Sequence, residues 1–280
     1  MRERGYSLLE VMVALALASV LAVAAFTVFF NSQRATGRVQ RVIENRQNSR
    51  TAIQLLERDV RMAGSGWGNI NVDGCYGGTA ISIPPITPFY GGSDTANDTL
   101  GIIGAWDAAT SLTAAMLNTS SNVVVKSAAG FAANDFFVVT NGEVAHLFQA
   151  TGVNTTTQLI SHATTSPYNV SGGHLDWPAG GYKVGAKVYR ASFASYQVDT
   201  LSNPRDQLVR WTQNSTRQVV AYNVAQFRVG YWLNSDTLVR DPEDLSEIDQ
   251  VHPVLCMKTT TARTTTATDS SWATVKPRSF

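Results

Sequence analysis

The chain has 280 residues, of which 44% are hydrophobic and 15% are charged, and its formal net charge is +1. This length and composition predict one medium-sized folded domain with an appended segment, and they argue against a disordered protein. A net charge so close to zero creates no global field that would recruit nucleic acid or an anionic surface, so any such contact would need a local patch.

The first predicted element is an apolar helix. Residues 11–30 contain no charge, and only Ser19 and Thr27 among them are polar. A helix of this length rises about 30 Å, which is the thickness of the hydrocarbon core of a bilayer. A secretory signal peptide has a shorter apolar region, about 7–15 residues, followed by a small-residue cleavage site that is missing here. The run therefore predicts a membrane span, although the flanking arginines do not settle its orientation.

Glu10 precedes this span directly, at a position where a plain anchor needs no acidic residue. A carboxylate inside lipid costs about 2–3 kcal/mol or more, so such residues usually serve a function or find a partner. In the alternative interpretation, Glu10 merely snorkels to the headgroup boundary of an ordinary anchor. Gly5, Tyr6 and Glu10, with Ser-Leu-Leu between them and a long apolar run behind, resemble the class III signal of type IV pilins and type II secretion pseudopilins.

The resemblance implies that a membrane-bound prepilin peptidase cuts between Gly5 and Tyr6 and methylates the new N-terminus. Residues 1–5 would be a cytoplasmic leader, and a side chain at Gly5 would obstruct the peptidase. Tyr6 stands where the family usually has Phe or Met. Glu10 would neutralise the α-amine of a neighbouring subunit, so that two buried charges compensate each other only after docking.

The second predicted element continues the helix through residues 31–63. This segment has no Pro and a single Gly, and the gaps between its apolar residues are close to helical spacing. The residues at this spacing define one predicted helix face, which consists of Val39, Val42, Ile43, Arg46, Ile53, Leu56, Val60 and Ala63. The other face carries most of the arginines and predicts a solvated surface, with contact to a filament neighbour or to lipid headgroups as the alternative. Glycines at 64–68 end the helix, and residues 6–63 would form a rod of about 87 Å.

A narrower resemblance concerns the end of this helix. Residues 55–64, LLERDVRMAG, followed by Cys75, resemble the PilW-type minor pilins, and residues 130–151 are similar to head-domain strands of that family. The implied plan is a helical shaft, with residues 6–30 in the membrane or filament core and 31–63 beyond it, carrying a globular head at 64–280.

The head is predicted to be mainly antiparallel sheet, which makes the fold class α+β. Alternating β-branched and aromatic runs separated by turn residues predict its strands. These runs lie at 100–106, 122–126, 135–141, 143–151, 186–198, 206–212 and 217–234. The pairing of residues 84–122 is not predictable from the pattern. Residues 236–249 are acidic, and the threonine-rich stretch 259–271 is predicted to be low-complexity and mobile.

Two kinds of site follow from the composition of the head. Because the resemblance places the head in an oxidising compartment, we expect Cys75 and Cys256 to form a disulfide, with two separate buried thiols as the alternative. We expect no metal and no other cofactor. Asp241, Glu243 and Asp244 are weak candidates for Ca²⁺, since calcium occurs in some pseudopilin heads but the EF-hand spacing is missing.

Enzymatic function is not expected. His146, His162, His174 and His252 show no metal-binding spacing, and no nucleophile motif or phosphate loop is present. Each histidine is predicted to be an ordinary strand or loop residue.

The resemblance implies a minor pilin that helps to initiate or cap a type IV pilus at its tip, with the adhesion and twitching motility that such pili support. A J-like minor pseudopilin of a type II secretion system and a tip adhesin are the alternatives. The implied partners are the prepilin peptidase, other minor pilins, the major pilin, the inner-membrane assembly platform and, before assembly, membrane lipid. No nucleic acid partner is evident. The leader would be cytoplasmic and the head periplasmic until the pilus reaches the cell surface.

Overall fold

The computed structural model describes residues 8–93, 95–170, 174–200, 206–213, 216–261 and 264–277. One long helix, α1 (Leu8–Arg61), precedes a head of mostly antiparallel strands, which confirms the predicted α+β fold class. The strands in the described residues are β1 (Val72–Tyr76), β2 (Thr79–Ile83), β3 (Ile86–Phe89), β4 (Thr99–Ser111), β5 (Val123–Val124), β6 (Phe136–Thr140), β7 (Ala145–Gln149), β8 (Gly152–Asn154), β9 (Leu159–Ser161), β10 (Lys187–Asp199), β11 (Gln207–Thr212), β12 (Arg217–Tyr222), β13 (Val224–Leu233), β14 (Leu238–Val239), β15 (Ile248–Thr261) and β16 (Thr264–Trp272).

These strands form three sheets. The largest has nine strands in the order β12-β11-β10-β6-β7-β1-β2, with β4 on the other side of β10 and β3 beside β4. Its β1–β7 pair is parallel, whereas its other pairs are antiparallel. The second sheet has the order β14-β13-β15-β16, and the third has the order β5-β9-β8. Helix α1 packs against β12, β15 and β16, so it lies where the two larger sheets meet.

The head covers only the second half of α1. Ala52, Ile53, Leu56 and Val60 are at most 6% exposed and belong to a core cluster that also takes side chains from the two larger sheets. Three residues of the predicted core face are exposed instead. Val39 and Ile43, 59% and 50% exposed, precede position 45, where the contact with the head begins, and Arg46 is exposed just beyond it.

The end of α1 is fastened to the middle of β4. The N–H of Gly64 donates to the carbonyl of Ile103 at 2.9 Å, and the Trp106 indole donates to the carbonyl of Met62 at 3.3 Å. The chains approach so closely that a Cβ on Gly104 would lie 2.2 Å from the Met62 carbonyl oxygen. Glycine at 104 therefore allows the helix end to rest directly on the strand.

The C-terminal stretch forms strands where the structure describes it. Residues 259–271 were expected to be low-complexity and mobile; of these, residues 259–261 continue β15 and residues 264–271 form most of β16, and the two strands pair antiparallel. Threonine is β-branched and favours extended backbone, so a threonine-rich repeat is compatible with a sheet edge. A second difference is the run 217–234, which divides into β12 and β13 at Asn223, where φ is 57°.

Candidate functional site

The exposed first half of α1 is the most unusual surface of the molecule. The helix contains an 18-residue window of mean hydropathy 2.6, none of which is buried in the chain, and it is the only described helix long and apolar enough to cross a membrane. Leu8, Leu21 and Val28 are 80%, 70% and 69% exposed. Apolar area on this scale is not stable in water, so lipid or other helices must cover it.

Glu10 lies in the first turn of α1 as the structure describes it, and its residue is exposed. Beyond Glu10, the next acidic residue along the helix is Glu44, so the span itself contains no second carboxylate. The predicted cleavage residues Gly5 and Tyr6 lie outside the described residues.

A buried ion pair fixes the second half of α1 to the head. The carboxylate of Asp59 accepts hydrogen bonds from Arg210 Nε at 2.6 Å and from the Tyr196 hydroxyl at 2.7 Å. The side chains of Asp59 and Arg210 are 3% and 9% exposed. Arg58 reaches the other oxygen of Asp59 at 3.2 Å from the surface, so the carboxylate has partners on both sides.

Burial and ion pairing shift the pKa of Arg210 in opposite directions. Burial by itself would lower the pKa of Arg210, but the charge of Asp59 and its hydrogen bond reverse this and leave the pKa raised. Burial also raises the pKa of Tyr196, and the nearby Asp59 carboxylate adds to the shift. At neutral pH the Arg210 guanidinium is therefore charged and paired with Asp59, and the Tyr196 phenol beside it is neutral.

Sequence analysis did not identify Asp59 as a functional residue, although a signal was present. Asp59 follows Leu56 by three residues, so it lies on the same helix face as the core. A charged residue on an apolar face requires a buried partner. The partner could not be located, because Arg210 is 151 positions away and β11 brings it close only in the folded chain.

Two neutral contacts extend this attachment toward the membrane end of the helix. The Asn45 side chain donates to the carbonyl of Lys258 at 3.0 Å, and the hydroxyls of Ser49 and Ser271 lie 2.7 Å apart. Both helix residues are buried. The β15–β16 hairpin thus holds the helix from one side, while Asp59 is held by β10 and β11.

The two cysteines are free in the structure, so the disulfide predicted from the sequence is not present there. Cys75 is buried on β1 and is aligned with Ala80 of β2. Cys256 is half-buried on β15, in the other large sheet, and burial raises the pKa of its thiol. A disulfide requires Cα atoms about 4.4–6.8 Å apart. Cys75 and Cys256 instead belong to different sheets, and each is paired with residues of its own sheet. Spacing in the sequence carried no information about this separation.

The acidic loop does not form a cation site. Asp241, Glu243 and Asp244 are all exposed. The Ser246 hydroxyl and backbone N–H donate to Asp244, which lowers its pKa and closes a short turn before β15. Among the described residues, no group of three His, Cys, Asp or Glu side chains is arranged to hold a metal ion.

Three of the four histidines lie close together, which their spacing did not predict. The ring centroids of His162 and His174 lie 5.0 and 4.5 Å from that of Phe148, and the His146 ring lies 6.0 Å from that of His174. We call these three residues the histidine cluster. Each contacts a backbone carbonyl, and His146 also contacts the Tyr182 hydroxyl at 2.6 Å. Burial lowers the pKa of each imidazole, so the cluster is neutral core at neutral pH.

A cleft of about 410 Å³ lies on the face of the large sheet opposite the helix. Phe89, Phe193 and Trp211 line it around a floor that includes Gly101. The Trp211 indole N–H and the Gln213 amide oxygen are buried without a hydrogen-bond partner among the described residues. An apolar cleft lined by aromatic side chains has the character of a small binding site.

Comparison with known proteins gives one finding, at the N-terminus. Residues 1–26 match the family model described as the prokaryotic N-terminal methylation motif. The match supports a prepilin-type signal in this segment. The match supports a type IV pilin-like or pseudopilin-like protein that is processed by a prepilin peptidase and anchored to the membrane by its N-terminal helix. No curated protein and no solved structure matches the chain.

Proposed function

We propose that the chain is a minor pilin of a type IV pilus, cut between Gly5 and Tyr6 and inserted through α1, with its head at or near the tip. The observation that carries the proposal is the division of α1 into two halves. The half behind the prepilin-type signal is apolar and uncovered, whereas the half after position 45 is locked into the head. Such a molecule moves from lipid into a helical filament core without unfolding its head.

Glu10 would control this transfer. In lipid its charge is costly, and in the filament core it would pair with the α-amine of a neighbouring subunit. The charge therefore favours the docked state over the free state and sets the register of docking. The head would be in the periplasm before assembly and at the surface afterwards.

The size of the head supports a minor rather than a repeating subunit. The head has three sheets and a long hairpin beside the helix, a shape that would be awkward to pack in many copies. The resemblance of residues 55–64 to PilW-type minor pilins favours the pilus over a J-like pseudopilin of a type II secretion system. Other minor pilins, the major pilin and the assembly platform are the partners that this role requires.

Filament incorporation tests the proposal. Glu10→Leu is expected to be processed and anchored normally, because the helix becomes more apolar, but to disappear from sheared filaments. Glu44→Leu is the matched control, since it removes an exposed glutamate from the same helix outside the span, and it is expected to be incorporated. Normal incorporation of Glu10→Leu would refute the pairing role, and absence of the native chain from filaments would refute the minor pilin.

A tip adhesin is the second candidate, favoured by the apolar, aromatic-lined cleft. This role could coexist with the first, because the cleft lies on the sheet face opposite α1. Trp211→Ala combined with Gln213→Ala is expected to abolish adhesion while filament number and length stay unchanged. Unchanged adhesion of cells carrying this double variant would refute the adhesin role of the cleft.

A further inference from the structure

The helix face that holds the head continues toward the membrane as a row of arginines. Steps of three or four residues, the spacing of one helix face, connect positions along this side of α1. The row is Arg34, Arg38, Arg41, Asn45, Ser49, Ala52, Leu56 and Asp59. The last five are buried against the head, whereas the three arginines are exposed. We call these three arginines the arginine stripe.

The arginine stripe therefore faces the space between the base of the head and the end of the apolar run. Arg34 lies four residues after Phe30, a rise of about 6 Å along the helix axis. Arg41 lies about 17 Å beyond Phe30 along the same axis. The headgroup layer on each side of a bilayer is about 5–8 Å thick, and screening extends roughly a further 8 Å at physiological salt. Helix side chains lean toward the N-terminus, so these guanidinium groups reach back toward the membrane surface.

Among the described residues, no acidic side chain forms an ion pair with the stripe, and Glu44, three residues after Arg41, is the one acidic residue at helix spacing from it. None of the three arginines takes part in an ion pair there, whereas Arg58 and Arg61, farther along the helix, are paired with Asp59 and Glu57. Three exposed guanidinium groups on one face, with a single glutamate beside the last of them, give a net positive surface at this depth that is complementary to anionic phosphate groups.

We propose that the arginine stripe binds the headgroups of anionic phospholipids in the leaflet under the head, before the subunit enters a filament. The inference rests on the proposed function, since it requires the apolar run to lie in a membrane with the head outside. Bound lipid would hold the helix at one depth and orient the head above the bilayer. On docking, the subunit would exchange these lipid contacts for contacts within the filament.

The test measures lipid selectivity of the full chain. The protein is purified in micelles containing equal amounts of phosphatidylglycerol and phosphatidylcholine, and the ratio of the two lipids that remain bound is read by native mass spectrometry. One arginine near an anionic surface corresponds to roughly a 5-fold preference. The triple variant Arg34→Gln, Arg38→Gln, Arg41→Gln is therefore expected to lower the ratio at least ~10-fold, and 0.5 M NaCl should lower the native ratio as well.

A matched control removes the same charge elsewhere. Lys126, Lys183 and Lys187 are exposed on the head, so their replacement by Gln should leave the ratio unchanged. An equal ratio in the native chain and the arginine variant would overturn the proposal, and so would an equal loss in the lysine control. Loss of co-purifying pilins from the arginine variant without any lipid selectivity would overturn it in favour of an acidic protein surface.

The result is separable from the proposed function. A chain that selects phosphatidylglycerol through the stripe but is never found in filaments would support the lipid contact and refute the minor pilin. A chain that enters filaments without any lipid selectivity would refute the stripe alone.

Discussion

Replacing Asp59 by Asn tests how α1 is attached to the head. The change keeps the shape of the side chain but leaves Arg210, 9% exposed, as a charge without its buried counterion. Removing one partner of a buried ion pair typically costs about 3–5 kcal/mol, because the remaining charge stays desolvated. For a head of this size we expect Tm to fall by roughly 6–20 °C.

The measurement is urea or thermal unfolding of the full chain in detergent, followed by tryptophan fluorescence. Glu57→Gln is the matched control, since Glu57 forms a surface pair with Arg61 at 3.4 Å on the same helix turn. That change should cost only about 0.2–0.5 kcal/mol. The double variant Asp59→Asn, Arg210→Gln should lose less than the sum of the single variants. A loss below about 1 kcal/mol for Asp59→Asn, or strictly additive losses, would refute the buried-pair interpretation.

Three further predictions concern the head. Gly104→Ala should destabilise the fold by about 1–3 kcal/mol, because the added Cβ has no room against the end of α1. Gly37→Ala is the control and should stabilise by about 0.5–1 kcal/mol, since no atom lies near its Cβ. Equal shifts in Tm for the two variants would contradict the close approach at Gly104. The lowered pKa values of the histidine cluster mean that the unfolded chain binds more protons below about pH 6.5, so stability should fall as the pH drops through that value. The denaturation midpoint should depend less on pH between 7.5 and 5 in His174→Phe, and an identical dependence would show that the cluster does not titrate on unfolding. Maleimide labelling without reductant should find two thiols per denatured chain, with half-buried Cys256 faster than buried Cys75 in the native state, and a count of zero would establish a disulfide instead.

The sequence predicted the features that depend on local pattern. Apolar composition located the span, helical spacing extended α1 toward the head, and alternation located β6, β7, β10 and β11. Long-range geometry was not predictable, because the partners of Asp59 come from distant strands and the histidines beside Phe148 come from distant loops. The same limit explains the disulfide prediction, which used the presence of two cysteines but had no information that they belong to different sheets.

The threonine-rich stretch shows a different limit of sequence-based prediction. Low complexity and polar composition predicted mobility, although each threonine is a β-branched residue that suits a strand. Pairing with β15 supplied the hydrogen bonds that the composition alone did not reveal. Val39 and Ile43 show the complementary error, since apolar spacing identified a helix face but not where the head begins to cover it.

Mass spectrometry of the N-terminus tests the central claim most directly. The chain would be isolated from its native membrane and from sheared filaments, alongside Gly5→Leu as a control that should retain Met1. The proposed function predicts a chain that begins at N-methylated Tyr6 and occurs in filaments at trace levels. A native chain that still begins at Met1, or one cut beyond residue 30, would contradict the proposal and leave an ordinary anchored or secreted β-rich domain.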